Sequence, residues 1–128
     1  WREPLFLECT LDETTGEPLT ALAHRSARRV FSARTARALR ELLASVVTEG
    51  TGHEAAPTEG TAAGKTGTAQ TGQFAAGKEL KNYWFAGFYP ARNPRYTIVV
   101  LQDGQTGPSR TSAAIFAQVC DALDAAGE

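Results

Sequence analysis

Two runs of strand-forming residues, separated by a short turn, constrain the fold of this chain most. Residues 83–89 are rich in aromatic side chains and end at a proline, and residues 95–101 contain Tyr96, Ile98, Val99 and Val100. The sequence between them, Ala91-Arg92-Asn93-Pro94, is typical of a turn. Because so short a connection can join only antiparallel neighbours, the two runs predict an antiparallel sheet.

Helical periodicity marks two further segments, one before and one after the predicted strands. Residues 33–49 follow Ser32, a good N-cap, and precede Gly50, a typical helix stop. Their apolar positions recur every three or four residues: Ala36, Leu39, Leu42, Leu43, Val46 and Val47. After Ser109 a second such set predicts a closing helix: Ile115, Phe116, Val119, Cys120 and Leu123. Both apolar faces need a surface to cover, and the sheet is the only candidate.

The remaining segments complete an α+β order. Residues 5–11 and 19–23 predict a hairpin around Glu13-Thr14-Thr15-Gly16, and residues 24–31 form a basic connection. Residues 62–70, small and rich in threonine, predict a further strand. We expect loops in three polar, glycine-containing segments: residues 50–61, 71–81 and 102–108. The predicted fold is therefore a mainly antiparallel sheet of at least three strands with packed helices.

Charge and hydropathy exclude several classes of partner. The chain carries 13 basic and 14 acidic residues, a formal net charge of −1, and so lacks the basic excess of a protein that binds nucleic acid or anionic membranes. No apolar run approaches the roughly 20 residues that cross a bilayer. The two cysteines are too far apart in sequence for a metal-binding pair, while a Cys9–Cys120 disulfide stays open. No pattern indicates a metal or a cofactor, and we expect neither.

The segment Ala63-Gly64-Lys65-Thr66-Gly67-Thr68-Ala69-Gln70 carries the chemistry, and two interpretations compete. The first is a phosphate-binding loop that ends in Gly64-Lys65-Thr66. That loop needs a glycine where this chain has Glu59, and a helix directly after the threonine. The seven residues from Thr66 instead contain two glycines and three threonines, which disfavour a helix. The second interpretation is the Lys-Thr-Gly strand of the serine acyltransferases that react with penicillin.

The surrounding sequence agrees with the second interpretation. Residues 46–55 (VVTEGTGHEA) precede the motif and residues 84–96 (WFAGFYPARNPRY) follow it. With the motif, they closely resemble the C-terminal half of the transpeptidase domain of penicillin-binding proteins, particularly the class B group, over about residues 4–123. The resemblance implies a partial serine β-lactamase/transpeptidase-like fold. Near the last helix that family often has a Gly-Gly pair, where this chain has Gly107-Pro108-Ser109.

The residue types of the motif suit an extended peptide that ends in a carboxylate. The Thr66 and Thr68 side chains fall on one face of a strand, and two hydroxyls beside the Lys65 ammonium can hold a carboxylate. Gly67 has no side chain to obstruct a strand-like ligand. The resemblance implies that this ligand is a peptidoglycan stem peptide ending in D-Ala-D-Ala, and that β-lactams bind in its place. It also implies catalytic roles for Lys65, in the proton network of the cleft, and for the Thr68 backbone N–H, in the oxyanion hole.

The nucleophile of that family is missing from this sequence. The family uses a serine three residues before a lysine, and none of the five serines has that lysine or the asparagine of S-x-N. The chain also lacks methionine, so we expect residues 1–128 to be a single incomplete domain from a longer protein. On this interpretation the chain alone is inactive. Its partner is the N-terminal half of the same domain, and without that half we expect self-association.

Two alternatives to a transpeptidase stay open. A β-lactamase or a D,D-carboxypeptidase shares the Lys-Thr-Gly strand, and a non-catalytic interaction module is the other possibility. An S-x-x-K motif in upstream sequence would separate the enzymes from the module. The resemblance further implies a location at the extracytoplasmic face of the bacterial cell membrane, with an N-terminal anchor that this chain does not contain.

Overall fold

The computed structural model describes residues 9–21 and 27–127. Its helices and strands follow the order β1 Cys9–Leu11, β2 Pro18–Ala21, α1 Ala33–Thr48, a 3-10 helix His53–Ala55, β3 Ala63–Ala75, β4 Lys78–Tyr89, β5 Tyr96–Gln105 and α2 Ser112–Ala125. The chain divides into two compact units, Trp1–Ala36 and Arg37–Glu128. Within the described ranges, no helix is long and apolar enough to cross a membrane. The α+β class predicted from the sequence is confirmed.

The first unit contains a small hairpin in which β1 and β2 pair antiparallel. The Asp12 carboxylate accepts hydrogen bonds from the backbone N–H groups of Thr14, at 2.8 Å, and Thr15, at 2.7 Å. These bonds favour the ionised carboxylate, so the pKa of Asp12 is lowered. The predicted hairpin is confirmed for these strands. Residues 5–8 and 22–26 of the predicted hairpin and connection lie outside the described residues.

The second unit is built on one sheet in the order β3-β4-β5, with both pairs antiparallel. The β3–β4 hairpin is longer than predicted, because residues 71–75 and 78–81 belong to strands and only Ala76-Gly77 form the turn. Both turn residues have positive φ, 48° and 76°, as a two-residue hairpin turn requires. The predicted loop at 71–81 is therefore wrong. We call this extension of the hairpin, residues 71–81, the ribbon. Most of it is exposed on both faces, so its polar side chains are compatible with a strand. Residues 102–105, also expected in a loop, extend β5.

One face of the sheet carries the core. Phe85 of β4 and Phe116 of α2 are fully buried, and their ring centroids lie 4.7 Å apart. Gly64 makes this packing possible, because a Cβ there would lie 2.6 Å from the Phe85 ring and 2.7 Å from the Ala86 carbonyl oxygen. The buried cluster consists of Val47, Ala55, Ala62, Phe85, Tyr89, Ala113, Phe116 and Cys120. The closing helix α2 thus covers the sheet as predicted, and the Cys120 thiol is buried and free.

The opposite face of the sheet and much of α1 are exposed. Trp84, Val99 and Leu101 lie on that face, and Val99 is 57% exposed. Leu42 of α1 is 63% exposed, and burial in α1 is reached only near its C-terminal end, at Val47. The prediction that the sheet covers both helices is wrong for α1. Only the last turns of that helix reach the described core, so its apolar stripe is left without cover in this part of the chain.

Two carboxylates of α2 fasten the segment that leads into β3. Asp121 accepts hydrogen bonds from the backbone N–H and the hydroxyl of Thr58, at 2.7 and 3.1 Å. The Tyr89 hydroxyl donates to Asp124 at 2.5 Å and lies 3.3 Å from the Glu59 carbonyl oxygen. The bond to Asp124, followed by burial, raises the pKa of Tyr89 to about 12. Strand β3 therefore begins from a segment held by α2.

Candidate functional site

The predicted motif lies in the first half of β3. Lys65, Thr66, Gly67 and Thr68 pair with Ala86, Phe85, Trp84 and Tyr83 of β4, respectively. Within the described sheet, β3 is an edge strand, so its other edge has no neighbouring strand. The predicted strand is confirmed, and the phosphate-loop interpretation is wrong, because that loop would place Thr66 in the first turn of a helix.

A row of polar groups begins at the Lys65 ammonium. Its Nζ donates to the backbone oxygen of Thr66 at 3.0 Å and to the Thr66 hydroxyl oxygen at 3.1 Å. The Thr66 hydroxyl lies 3.4 Å from the hydroxyl of Thr51, which precedes the 3-10 helix. The Thr66 hydroxyl is thus within hydrogen-bonding reach of both the Lys65 ammonium and the Thr51 hydroxyl. Such a set can bind an anion with several oxygen atoms.

Gly67 differs from Gly64 and Gly87, the two glycines of this sheet whose missing side chains make room for packed neighbours. A Cβ at Gly67 would lie 3.4 Å from the Trp84 Cβ, an ordinary van der Waals contact. At Gly87, by comparison, a Cβ would lie 2.5 Å from the Ala63 carbonyl oxygen. The internal packing therefore demands glycine at Gly87 and not at Gly67. The absence of a side chain at Gly67 is consistent with a ligand that approaches strand β3 there.

A cavity of about 250 Å³ adjoins the motif, and we call it the slot. It is lined by Thr51, Glu54, Thr66, Gly67, Thr68, Tyr83, Trp84, Pro108, Thr111, Ser112 and Ala113. The motif supplies one wall, and the segment from Pro108 into α2 supplies another. The lining combines hydroxyls and a single charged side chain, Glu54, with two aromatic rings and the side chains of Pro108 and Ala113. The slot suits a ligand that has both polar and apolar parts and is partly exposed to solvent.

Hydrogen bonds fix the wall that α2 contributes. The Thr111 hydroxyl donates to the Glu54 carboxylate at 2.6 Å and accepts from the Ala114 N–H at 3.1 Å, which caps α2. The Ser112 hydroxyl donates to the Tyr83 carbonyl oxygen at 2.9 Å and accepts from the Gln102 amide at 3.0 Å. The first turn of α2 is therefore tied to the 3-10 helix and to strands β4 and β5. Neither hydrogen-bond partner of Ser112 in the described part of the chain is a base of the kind that activates a nucleophile.

Sequence reasoning found the motif and missed most of the slot. Thr51, Glu54, Thr111 and Ser112 lie 14, 11, 46 and 47 residues from Lys65 and carry no motif of their own. A Thr-Ser pair before an apolar run signals a helix cap, which identifies Thr111 as an N-cap and nothing more. Among the described residues, no group of three or more His, Cys, Asp or Glu side chains has the arrangement of a metal site.

Comparison with known proteins gives a consistent assignment. The model of the family described as the penicillin binding protein transpeptidase domain matches residues 2–121. Penicillin-binding protein PbpB of Mycolicibacterium smegmatis is 38% identical over 110 residues, which cover 74% of this chain and 17% of that protein. Stage V sporulation protein D of Bacillus subtilis is 32% identical over 119 residues, covering 91% of this chain and 18% of that protein.

Solved structures agree with the sequence matches. The apo transpeptidase domain of Burkholderia pseudomallei penicillin-binding protein 3 superimposes with a TM-score of 0.64 at 32% identity, covering 90% of this chain and 35% of that chain. This chain therefore spans less than a fifth of the length of the two curated relatives, at 17% and 18%. It corresponds to about a third of the solved domain, at 35%.

Proposed function

This chain belongs to the transpeptidase-domain family of penicillin-binding proteins, and from that membership we propose that it forms the substrate-binding wall of a serine D,D-transpeptidase. The reaction cross-links peptidoglycan stem peptides through a serine acyl-enzyme, which β-lactams trap. The observation that carries the proposal is the Lys-Thr-Gly strand at the edge of the described sheet, with the Lys65 ammonium beside the Thr66 hydroxyl.

Each residue of the motif has a distinct role on this proposal. The hydroxyls of Thr66 and Thr68 and the Lys65 ammonium hold the terminal carboxylate of the D-Ala-D-Ala peptide or of a β-lactam. The peptide lies along the free edge of β3, where its backbone can pair with the strand. The backbone N–H of Thr68 stabilises the oxyanion of the tetrahedral intermediate, and losing one such donor typically costs about 3 kcal/mol. Lys65 belongs to the proton network of the cleft.

The chain does not carry the nucleophile, on this proposal. No serine of the sequence precedes a lysine by three residues. The acylated serine and its lysine base belong to the N-terminal half of the same domain, outside these 128 residues. That half also covers the exposed side chains of Trp84, Val99 and Leu101, and without it residues 1–128 form a single incomplete domain. The intact protein acts at the extracytoplasmic face of the cell membrane, held by an N-terminal anchor.

A labelled penicillin tests this proposal in two proteins. The full-length gene product should gain one penicillin by intact mass after denaturation, whereas the 128-residue chain should gain none. In the full-length protein, Thr68→Val should slow acylation by about 10- to 100-fold, because the hydroxyl is lost while the backbone is unchanged. Thr106→Val, a matched change in the segment before Pro108 and outside the slot, is the control. A full-length protein that no penicillin acylates would refute the proposed activity, and an adduct on the chain alone would refute the missing nucleophile.

A further inference from the structure

A second concavity, distinct from the slot, lies between α1 and the turn that joins β4 to β5. We call it the basic groove, and its volume is about 420 Å³. Arg37, Arg40 and Arg92 line it, and Glu41 is the acidic side chain of its lining. Three positive charges against one negative charge give this groove a net charge of +2. The whole chain has a formal net charge of −1, so the groove concentrates positive charge locally.

The positive charges come from two segments that are distant in sequence. Arg37 and Arg40 lie one turn apart on α1, and such a helical stripe alone is typical of a solvated face. Arg92 enters the same groove from the β4–β5 turn, more than 50 residues later. Positive side chains that converge from separate elements are typical of an anion-binding site. They are not expected where a helix face is merely solvated.

Both walls of the groove are held in place. The C-terminal part of α1 is anchored by Val47, which is buried in the core. The turn that carries Arg92 is anchored by the Ala91 N–H, which donates to the Thr61 carbonyl oxygen at 2.8 Å. The Arg95 N–H closes the same turn by donating to the Tyr89 carbonyl oxygen at 3.0 Å. Arg92 therefore extends from a fixed turn, while Arg37 and Arg40 extend from the exposed part of the helix that Val47 anchors near its C-terminal end.

The three guanidinium groups are available to a ligand. In residues 9–21 and 27–127, no hydrogen bond or ion pair engages the side chains of Arg37, Arg40 or Arg92. Each guanidinium offers five N–H donors in a planar fork. Their mutual repulsion is relieved by a ligand that brings negative charge between them.

We propose that the basic groove binds a phosphate-bearing ligand with at least two negative charges, a phosphate monoester or a diphosphate. The guanidinium fork matches two oxygens of a phosphate group, and three forks suit a ligand with several such oxygens. The lining of arginines, Glu41 and two threonine hydroxyls favours a small polar anion over an apolar molecule. Such a group belongs either to a soluble phosphate compound or to a phospholipid whose headgroup is itself a phosphate monoester. The proposal is independent of the activity proposed for the Lys-Thr-Gly strand.

Calorimetric titration of the 128-residue chain with inorganic pyrophosphate at low ionic strength tests the first source. We expect saturable binding with a Kd below about 1 mM. Arg40→Ala and Arg92→Ala should each raise that Kd by about three- to tenfold, because each removes one exposed charged partner. Arg34→Ala, one turn earlier on the same helix and outside the groove, should leave it within about twofold. Glu41→Gln should lower the Kd, because it removes the one opposing charge of the lining.

Co-sedimentation with vesicles tests the second source. Vesicles of phosphatidylcholine containing phosphatidic acid, whose headgroup is a phosphate monoester, are compared with vesicles of phosphatidylcholine alone. If the chain binds the anionic vesicles and Arg92→Ala weakens that binding, the ligand is a lipid headgroup. If the chain binds pyrophosphate but not the vesicles, the ligand is a soluble phosphate compound. An absence of binding in both experiments overturns the proposal. Equal losses in Arg34→Ala and Arg92→Ala also overturn it, since they show general attraction between charges. Circular dichroism of each variant confirms that these exposed substitutions leave the fold intact.

Discussion

Gly64 and Gly67 lie three residues apart on one strand, and alanine at each should have opposite consequences. At Gly64 the new Cβ would lie 2.6 Å from the Phe85 ring and 2.7 Å from the Ala86 carbonyl oxygen. Phe85 is fully buried against Phe116 and cannot move aside, and the carbonyl belongs to the paired strand β4. Overpacking a core typically costs 1–3 kcal/mol, and backbone involvement places Gly64→Ala near about 3 kcal/mol. At this chain length that loss lowers Tm by roughly 10 °C.

Gly67→Ala should leave stability almost unchanged. Its Cβ would meet Trp84 at 3.4 Å without a clash. Alanine also restricts the unfolded chain, which contributes up to about 1 kcal/mol of stability where the backbone is compatible. If the proposed function holds, the added methyl group in the full-length protein should crowd the peptide or β-lactam that approaches β3. A displacement of that ligand by about 1 Å should slow acylation by penicillin by up to 100-fold.

The two variants are compared by urea unfolding of the 128-residue chain, followed by Trp fluorescence, and by labelled-penicillin kinetics in the full-length protein. We expect the two variants to differ. Gly64→Ala should lower the free energy of unfolding, and Gly67→Ala should slow acylation by penicillin while keeping the stability of the chain. Equal destabilisation by both variants would show that Gly67 is a packing glycine. Unchanged acylation by Gly67→Ala would remove the ligand-based explanation for the glycine.

Two further predictions concern the hydroxyl of Tyr89 and the exposed face of the sheet. The folded pKa of Tyr89, about 12, exceeds its ordinary value of 10, so its stabilisation is present below pH 10 and is lost as pH rises towards 12. Tyr89→Phe should therefore cost about 1–2 kcal/mol at pH 7 and progressively less above pH 10, as urea unfolding at several pH values would reveal. The 128-residue chain should self-associate through the free edge of β5 and the exposed Val99 and Leu101. Light scattering should detect dimers that Leu101→Lys dissociates, and a strict monomer at high concentration would contradict this.

The order of strands and helices could be predicted because their patterns are local. The apolar spacing from Ala36 to Val47 repeats within one helix, and residues 83–89 and 95–101 carry strand-forming residues next to a short turn. The ribbon beyond Gln70 could not be predicted, because its polar side chains face solvent on both sides and leave no alternation to detect. The apolar stripe of α1 predicted a helix that packs against another part of the protein. Such a stripe does not indicate whether the surface that covers it belongs to the same chain.

The candidate site was predictable only where its residues are adjacent in sequence. Lys65, Thr66, Gly67 and Thr68 form a continuous motif, and the strand that they predict is observed. The contact between Glu54 and Thr111 joins residues 57 positions apart and has no signature in either segment. The approach of Arg92 to α1 is likewise set by the sheet and the core. Such pairs become visible only when the backbone brings them together.

The ties between α2 and the segment before β3 bear on how this region is made by the ribosome. Asp121 holds Thr58 and Asp124 holds Tyr89, and both aspartates are translated after the residues that they hold. Strand β3 can pair with β4 as soon as both have emerged, but Thr58 cannot be fastened until α2 follows. Premature termination between Gln105 and Ser112 would therefore leave the complete Lys-Thr-Gly hairpin with Thr58 unbonded to Asp121 and Phe85 uncovered by Phe116. Such a nascent product would be a ready substrate for proteases, even though every residue of the motif had already been synthesised.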